Sequence, residues 1–471
     1  RVQSYIENLT RELKARMNDV KLHVLRSDGG LASSLSAAEY PVNLLMSGPA
    51  GGVAGAVWIA KQAGYGNLLT LDMGGTSTDV ALVQNGEAQI RRETTVGDVT
   101  VRASSVDVRT VGAGGGSIAH VPELTGALRV GPQSAGAEPG PAAYGNCGLV
   151  PTLTDANLVL GRLDPGNFLG GEMPRDVAAA QAVIGELAAV VGLDPMRTAE
   201  GIVAVANNDM ANAIRARTVQ KGLDVRDYAL VAFGGGGPLQ AAETARLIGI
   251  PEVIVPLYPG INSALGLLTT DLTYDAVRTQ FQSSTAIDTA ALATAFDDMH
   301  ATLAQQFAAD GLVARDVTFR RAGDLRYVGQ GYELRVPFPD GDFDAAALTE
   351  IFRSFHRQHQ DEYGHAFADN PIEIVNVRLV GTGLMPKLEQ LPPPLAGDFE
   401  TALIRSDRTL FRIGTALTEY ETRFYRRDCL PPGTSLAGPA VILQADTTTL
   451  VPPEFDVRVD AAGNLILSDR G

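Results

Sequence analysis

Residues 70–83 read Thr-Leu-Asp-Met-Gly-Gly-Thr-Ser-Thr-Asp-Val-Ala-Leu-Val, and no other stretch restricts the fold of this chain as strongly. Apolar strand residues lead into Asp72, the pair Gly74-Gly75 turns the backbone, and Thr76, Ser77, Thr78 and Asp79 open a second strand. Adjacent glycines permit a tight bend and let bare amides approach an anion. Three hydroxyls add donors that rotate toward phosphate oxygens. The Asp72 carboxylate beside that cradle suits a hydrated magnesium ion. A phosphate-binding hairpin uses every one of these residue types, whereas an ordinary surface turn needs few of them.

Composition bounds the rest. A chain of 471 residues predicts roughly two to four domains, because single cores seldom grow beyond ~250–300 residues. The net charge of −16 excludes a nucleic-acid surface, which needs clustered Lys and Arg. Cys147 and Cys429, the two cysteines, build neither a disulfide framework nor a thiolate metal site, so a reducing cytoplasm is expected. The longest apolar runs fall short of the ~18 residues needed to cross a bilayer, and no membrane partner is expected.

Apolar segments that end in Gly-rich turns organise the first 280 or so residues. Val2, Ile6, Leu9, Leu13 and Met17 repeat at helical spacing over 1–18. Lys21–Arg26 reads as a strand. Ser47-Gly48-Pro49-Ala50-Gly51-Gly52 opens an Ala-rich helix, either an anion site at free helix amides or a plain helix entry. Val106–Val111 reads as a strand delivering Gly112-Ala113-Gly114-Gly115-Gly116. Such glycine density implies close approach to a ligand or to another strand, and Asp107 sits just upstream. Tyr228–Phe233 is a compact apolar strand, followed by Gly234-Gly235-Gly236-Gly237-Pro238 and a helix from Leu239 to Ile248. This strand–turn–helix unit fits nucleotide-binding turns in general. It does not match G-x-G-x-x-G, and no P-loop pattern occurs anywhere. Asn207, Asn208, Asp209 and Asn212 cluster on the preceding helix, lining a cleft or bonding neighbouring loops.

These segments carry a resemblance. The acidic Gly-Gly-Thr hairpin at 72–79 and the Phe-Gly-Gly-Gly-Gly-Pro turn at 233–238 resemble two nucleotide elements of the actin, hexokinase and heat-shock chaperone superfamily. The order of segments resembles the A-type subunit of the hydantoinase/oxoprolinase family across essentially the whole chain. That order comprises Ser47–Val53, Asp72–Val80, Thr110–Ala119, Gly131–Pro141, Thr152–Asn157, Phe233–Pro238 and Asn262–Leu267. The implied fold is α/β: an actin-like (ribonuclease H-like) nucleotide lobe over 1–278, an α+β region over 279–390 and a small β module over 391–471. The Leu391-Pro392-Pro393-Pro394 run reads as a linker before that module, whose expected role is contact with other subunits.

The resemblance also implies a chemistry: phosphoryl transfer from ATP, assisted by Mg²⁺ or Mn²⁺, onto an unreactive amide or ketone oxygen. A B-type partner subunit then hydrolyses or carboxylates the activated species. On this reading Asp72 and Asp79 are the catalytic candidates, and Asp72 holds the metal through water. Gly74, Gly75, Thr76, Ser77 and Thr78 wrap the phosphates, Gly114, Gly115 and Gly116 complete the cradle, and Gly234, Gly235, Gly236 and Gly237 meet the adenosine side. The expected enzyme is a subunit of an acetone- or acetophenone-type ketone carboxylase. The alternatives are an ATP-dependent cyclic amidohydrolase of the hydantoinase, 5-oxoprolinase or lactamase kind, and a non-catalytic scaffold paralogue. The family carries a second acidic Gly-Gly-Thr hairpin near its N-terminus, and this sequence has one copy only. A separate chain or fragment is therefore expected to supply the other lobe. Glu138 and Ala143 stand where the family more usually has Asp and Cys.

Beyond the nucleotide elements, Asp288 is placed to cap a helix over 289–309, and Phe319–Pro337 reads as a hairpin. Within it, Arg326 and Gln330 either reach a substrate or hold a structural turn. His356, His359 and His365 form H-x₂-H-x₅-H, a spacing open to zinc as well as to a helix end.

Overall fold

The computed structural model describes residues 1–17, 20–91, 93–96, 98–101, 103–388 and 397–471. The expected Leu391–Pro394 linker lies outside the described residues. The chain divides into two compact units, one built from residues 1–26, 30–42 and 270–387, the other from 27–29, 43–269 and 388–471. These units interleave along the sequence.

The first unit holds, among the described residues, a six-stranded sheet in the order His23–Leu25, Leu31–Ser33, Leu272–Ser283, Ile372–Gly383, Val317–Tyr327, Leu334–Phe338. Ile372–Gly383 alternates in burial on either side of a register irregularity at Val375, which keeps Ile372, Ile374, Val377 and Leu379 on the packed face. Helix Thr289–Ala309 packs on that sheet through Phe296, Met299, Leu303 and Phe307, and Asp288 caps it by accepting from Ala291 N at 3.0 Å. The expected hairpin is present, its strands Val317–Tyr327 and Leu334–Phe338 pairing antiparallel. Arg326 pairs with Glu373 at 2.9 Å, and Gln330 Oε1 accepts from Tyr327 N. Both side chains therefore fasten the turn.

The histidines do not build a zinc site. His359 donates from Nδ1 to the His365 carbonyl at 2.7 Å, and its Nε2 accepts from Gln330 Nε2 at 2.9 Å, so both ring nitrogens are engaged. His356 Nδ1 meets the Tyr327 hydroxyl at 2.7 Å. No group of three or more metal-ligating side chains occurs among the described residues. Nor, among them, is any single helix long and apolar enough to cross a membrane.

The second unit holds, among the described residues, a nine-stranded mixed sheet. Its path runs Val108–Val111, Thr78–Gln84, Leu68–Met73, Ala229–Phe233, Glu252–Val255, Leu465–Asp469, Phe455–Val459, Ser435–Ala437, with Glu87–Ala88 beside Thr78–Gln84. Leu68–Met73 is buried at every position except Asp72, as expected of a strand covered on both faces. Leu69, Leu71 and Met73 join the main core with Ala241, Ala242 and Ala245 of helix Gly237–Ile248. The C-terminal region is not an independent β module. Its last strands extend this sheet, because Leu465–Leu467 and Val457 are as buried as the lobe's own strands. A four-stranded sheet formed by Leu403–Ile413, Ala416–Arg426, Ala440–Leu443 and Thr448–Val451 packs in the same core.

Helices Ser47–Gln62 and Asn262–Thr269 cross at contact distance through glycine. A Cβ on Gly55 would stand 2.5 Å from Asn262 O, and one on Gly266 would collide with Gly51 O. Gly51 and Gly55 thus serve helix packing, whereas Gly48 has open space. Gly55→Ala is expected to cost about 1–3 kcal/mol by overpacking. Gly48→Ala should be neutral or gain up to ~1 kcal/mol from helix propensity. Urea titration of both variants checks this, and equal stabilities would contradict the close crossing.

Candidate functional site

The site grows from the ends of two neighbouring parallel strands. Leu68–Met73 pairs with Ala229–Phe233 in a register that sets Asp72 opposite Phe233. Both strands run directly into glycine turns, 74–77 and 234–237. In open α/β sheets, ligands gather where adjacent strands end at their carboxyl edge.

Leu68–Met73 also pairs antiparallel with Thr78–Gln84, which places Asp72 opposite Asp79 and Met73 opposite Thr78. Directly opposed residues share a face of the sheet. The two carboxylates therefore stand side by side, on the face opposite to Met73. Gly74 N donates to Ser77 O at 3.0 Å and closes the tip, leaving Gly74, Gly75 and Thr76 exposed.

Glycine surrounds Asp72 by necessity. A Cβ on Gly234 (φ +76) would stand 2.6 Å from Oδ1, and one on Gly52 would stand 3.2 Å from Oδ2. This cup strips water from the carboxylate, and Asp79 adds like charge. Together they push the Asp72 pKa up to about 6. Burial raises Asp79 as well, against the hydrogen bond its Oδ1 accepts from Thr110 Oγ1 at 2.5 Å. Two half-buried, directly opposed carboxylates suit a divalent cation that keeps most of its water.

The residues expected to cradle phosphate divide into two groups. Gly74, Gly75, Thr76 and Ser77 form the tip itself. Thr78 is fully buried and donates to Ala113 O at 2.5 Å, so its hydroxyl faces the protein. The run 114–116 braces the tip from behind. Gly115 N donates to Gly74 O at 3.0 Å, Gly116 N to Gly75 O at 2.6 Å, and Gly114 N to Ser117 Oγ at 2.8 Å. Glycine is required there because a Cβ on Gly114 would stand 2.6 Å from the Thr76 backbone. Thr154 anchors the brace through its N–H and hydroxyl, both donated to Gly115 O. Asp107 pairs with Arg217 at 2.7 Å, Asn207 donates to Glu243, and Asn208 donates to Ala204 O. Ala143 is buried, and its N–H donates to Asp155 at 2.8 Å.

In the second turn, Gly234 N donates to Pro259 O and Gly236 N to Met73 O at 2.9 Å, which joins the two glycine turns. Gly235 and Gly236 border a cavity of about 220 Å³, as do Gly74 and Gly75. Helix Gly237–Ile248 begins beside it with no side-chain cap, and Leu239 and Gln240 of its first turn line it. Asp446 and Thr447 form another wall: Thr447 Oγ1 donates to Gly235 O at 3.0 Å and Asp446 accepts from Gly260 N at 2.8 Å. Neither these two residues nor Thr110 was apparent as part of a site. A polar run after an apolar strand is their only local signal, and the contact spans 212 positions.

Residues 1–276 match the family model described as hydantoinase/oxoprolinase, and residues 280–467 match the hydantoinase/oxoprolinase C-terminal domain. The chain is 32% identical to the caprolactamase subunit alpha of Pseudomonas jessenii, over 94% of this chain and 64% of that one. It thus spans a little under two thirds of that relative. Among solved structures, the ATP-dependent caprolactamase of the same organism superposes with a TM-score of 0.84 at 30% identity, covering 99% of this chain and 68% of that one. A nucleotide-free acetone carboxylase structure superposes with a TM-score of 0.82 at 26% identity, covering 99% and 67%. By sequence and by fold alike, the chain belongs to the hydantoinase/oxoprolinase family.

Proposed function

We propose that this chain is the nucleotide-handling subunit of a multi-subunit, ATP-dependent enzyme that activates a small carbonyl compound by phosphorylation. The observation that carries this reading is the opposition of Asp72 and Asp79 beside the exposed glycine tip at 74–76. The sheet order, a three-strand antiparallel meander followed by two strands parallel to its first, supports reading this unit as one actin-like lobe. Relatives described as ATP-dependent support ATP as the ligand, and relatives named as subunits support a partner subunit, read here as B-type.

On this reading the tip amides and the Thr76 and Ser77 hydroxyls receive the terminal phosphates. The 114–116 brace holds the tip rigid, so little reorganisation accompanies charge transfer. Asp72, a carboxylate above about pH 6, and Asp79, oriented by Thr110, would hold a hydrated Mg²⁺. That ion would neutralise charge on the phosphates. The substrate's carbonyl oxygen forms the new bond to the γ-phosphorus, and ADP departs with the electrons of the old one. The turn at 234–237 and the free amides of the following helix receive the rest of the nucleotide. A ketone that releases an α-proton to solvent as the new bond forms becomes an enol phosphate ready for carboxylation, and a cyclic amide becomes a phosphorylated species ready for hydrolysis.

Ketone carboxylation and lactam opening share this first step, and relatives of both kinds match at similar identity. Mg-ATP turnover by the purified assembly, with acetone or acetophenone plus bicarbonate against caprolactam, hydantoin or 5-oxoproline, decides between them. Stimulation by the ketone and bicarbonate is the expected result, and stimulation by a lactam alone would reassign the substrate. No ATP turnover with either would favour the scaffold reading.

Asp72→Asn should lower turnover by about 10²–10³-fold, as for loss of one preorganised electrostatic group. The same variant tests the burial of the charge. Folded Asp72 titrates at about 6 against an ordinary 3.8, so the folded state binds more protons between those values. Stability then falls as pH rises from about 4 to about 6 and stays lower above it. In metal-free buffer, Asp72→Asn should flatten that fall and leave the protein about 2–3 kcal/mol more stable at pH 7. Urea denaturation at pH 4, 5, 6 and 7 measures it; parallel curves for the two proteins would contradict a strained carboxylate.

A further inference from the structure

Among the described residues, two carboxylates border the cavity beside Gly235 and Gly236: Asp164 and Asp446. Asp164 is fully engaged, its Oδ1 accepting from Gly166 N at 2.7 Å and its Oδ2 from Arg405. Asp446 uses one oxygen only. Its Oδ2 accepts from Gly260 N at 2.8 Å, whereas no partner meets its Oδ1 among the described residues, and that oxygen is not sealed from solvent.

The surroundings hold Asp446 in place. A Cβ on Gly260 would stand 2.5 Å from Oδ2, so glycine there admits the carboxylate. On the other side, the Asp446 carbonyl oxygen lies 3.8 Å from where a Cβ on Gly235 would stand. Thr447 ties the segment to Gly235 O, Gln444 N donates to Thr447 O at 3.1 Å, and Gln444 Nε2 donates to Leu257 O at 2.7 Å. The residue is thus fixed against the second glycine turn with one acceptor unused, and an acceptor already in place costs a ligand little ordering.

The chemistry of that acceptor restricts what it meets. A carboxylate accepts hydrogen bonds and does not donate them. It repels phosphate oxygens, which are acceptors of like charge. A neutral O–H donor satisfies it, and bonds to a charged acceptor are about twice as strong as neutral ones. In a nucleotide whose phosphates meet the tip at 74–77, the sugar follows along the turn at 234–237, and its 2′- and 3′-hydroxyls are such donors. An acidic side chain takes a ribose hydroxyl in the same way in doubly wound dinucleotide-binding folds.

We propose that Asp446 recognises the ribose of the bound nucleotide, its Oδ1 accepting from the sugar's vicinal hydroxyls. This inference rests on the nucleotide reading above, and it names the residue that selects the sugar.

Calorimetric titration of the purified assembly with ADP, with 2′,3′-dideoxy-ADP and with pyrophosphate tests it. The two nucleotides differ only in the sugar hydroxyls, and pyrophosphate probes the phosphate site alone. Wild type should bind ADP about 10- to 100-fold more tightly than dideoxy-ADP, the range for losing a hydrogen bond to a charged group. Asp446→Ala should weaken ADP, bring that ratio near one and leave pyrophosphate affinity unchanged. Asp446→Asn keeps an acceptor for Gly260 N, so the segment stays in place, and it should cut the ratio at least about threefold. Equal affinity for the two nucleotides in wild type, or a variant that binds pyrophosphate normally and keeps the wild-type ratio, would overturn the sugar assignment while leaving the nucleotide reading intact. Absence of both ADP and pyrophosphate binding by wild type would overturn both.

Discussion

Two carboxylates opposed across one strand pair set the terms for the rest of this unit. Asp72 and Asp79 repel each other, and the glycines at 52 and 234 leave Asp72 little water. Holding them there requires a hairpin that cannot relax. The 114–116 run supplies backbone donors to the tip from behind, Thr78 ties the second strand to Ala113, and Thr110 fixes Asp79. Gly236 then joins the tip's strand to the second glycine turn. Each of these contacts is local and modest, and together they keep a destabilised charge pair in one place.

Much of this was legible in the sequence because it is written in short-range chemistry. The Asp72 hairpin, the strand ending at Phe233, the helix that follows it and the Asp288 cap all come from residues adjacent in the chain. Glycine at 114–116 signalled close approach, but sequence alone did not say whether to a ligand or to another strand. The answer depends on the Thr76 backbone, 38 positions away by subtraction (114 − 76). Thr78 looked identical to Thr76, and only their places in the hairpin separate them: Thr76 lies on the exposed tip, whereas Thr78 opens the buried strand.

Longer-range features were not legible for the same reason. The final strands alternate like those of an edge module, yet Leu465–Asp469 completes the sheet by pairing with Glu252–Val255. That pairing brings the C-terminal region, including Asp446 and Thr447, to the site. His356, His359 and His365 had a metal-like spacing, but their ring nitrogens meet Tyr327, Gln330 and a main-chain carbonyl. Spacing along a helix places groups on a face and does not say what they face.

On the proposed reading, ketone carboxylation and lactam opening share one first act, delivery of a phosphoryl group to a carbonyl oxygen. The chemistry that differs follows it. On that reading a shared demand on one hairpin and one glycine turn is compatible with divergent products, because function follows the site and not the fold alone. The most direct measurement is a structure of the enzyme with Mg²⁺ and a non-hydrolysable ATP analogue. Terminal phosphate density over Gly74–Ser77, with the ion beside Asp72 and Asp79, is the expected result. An analogue bound away from the hairpin tip, or none bound at saturating concentration, would contradict it.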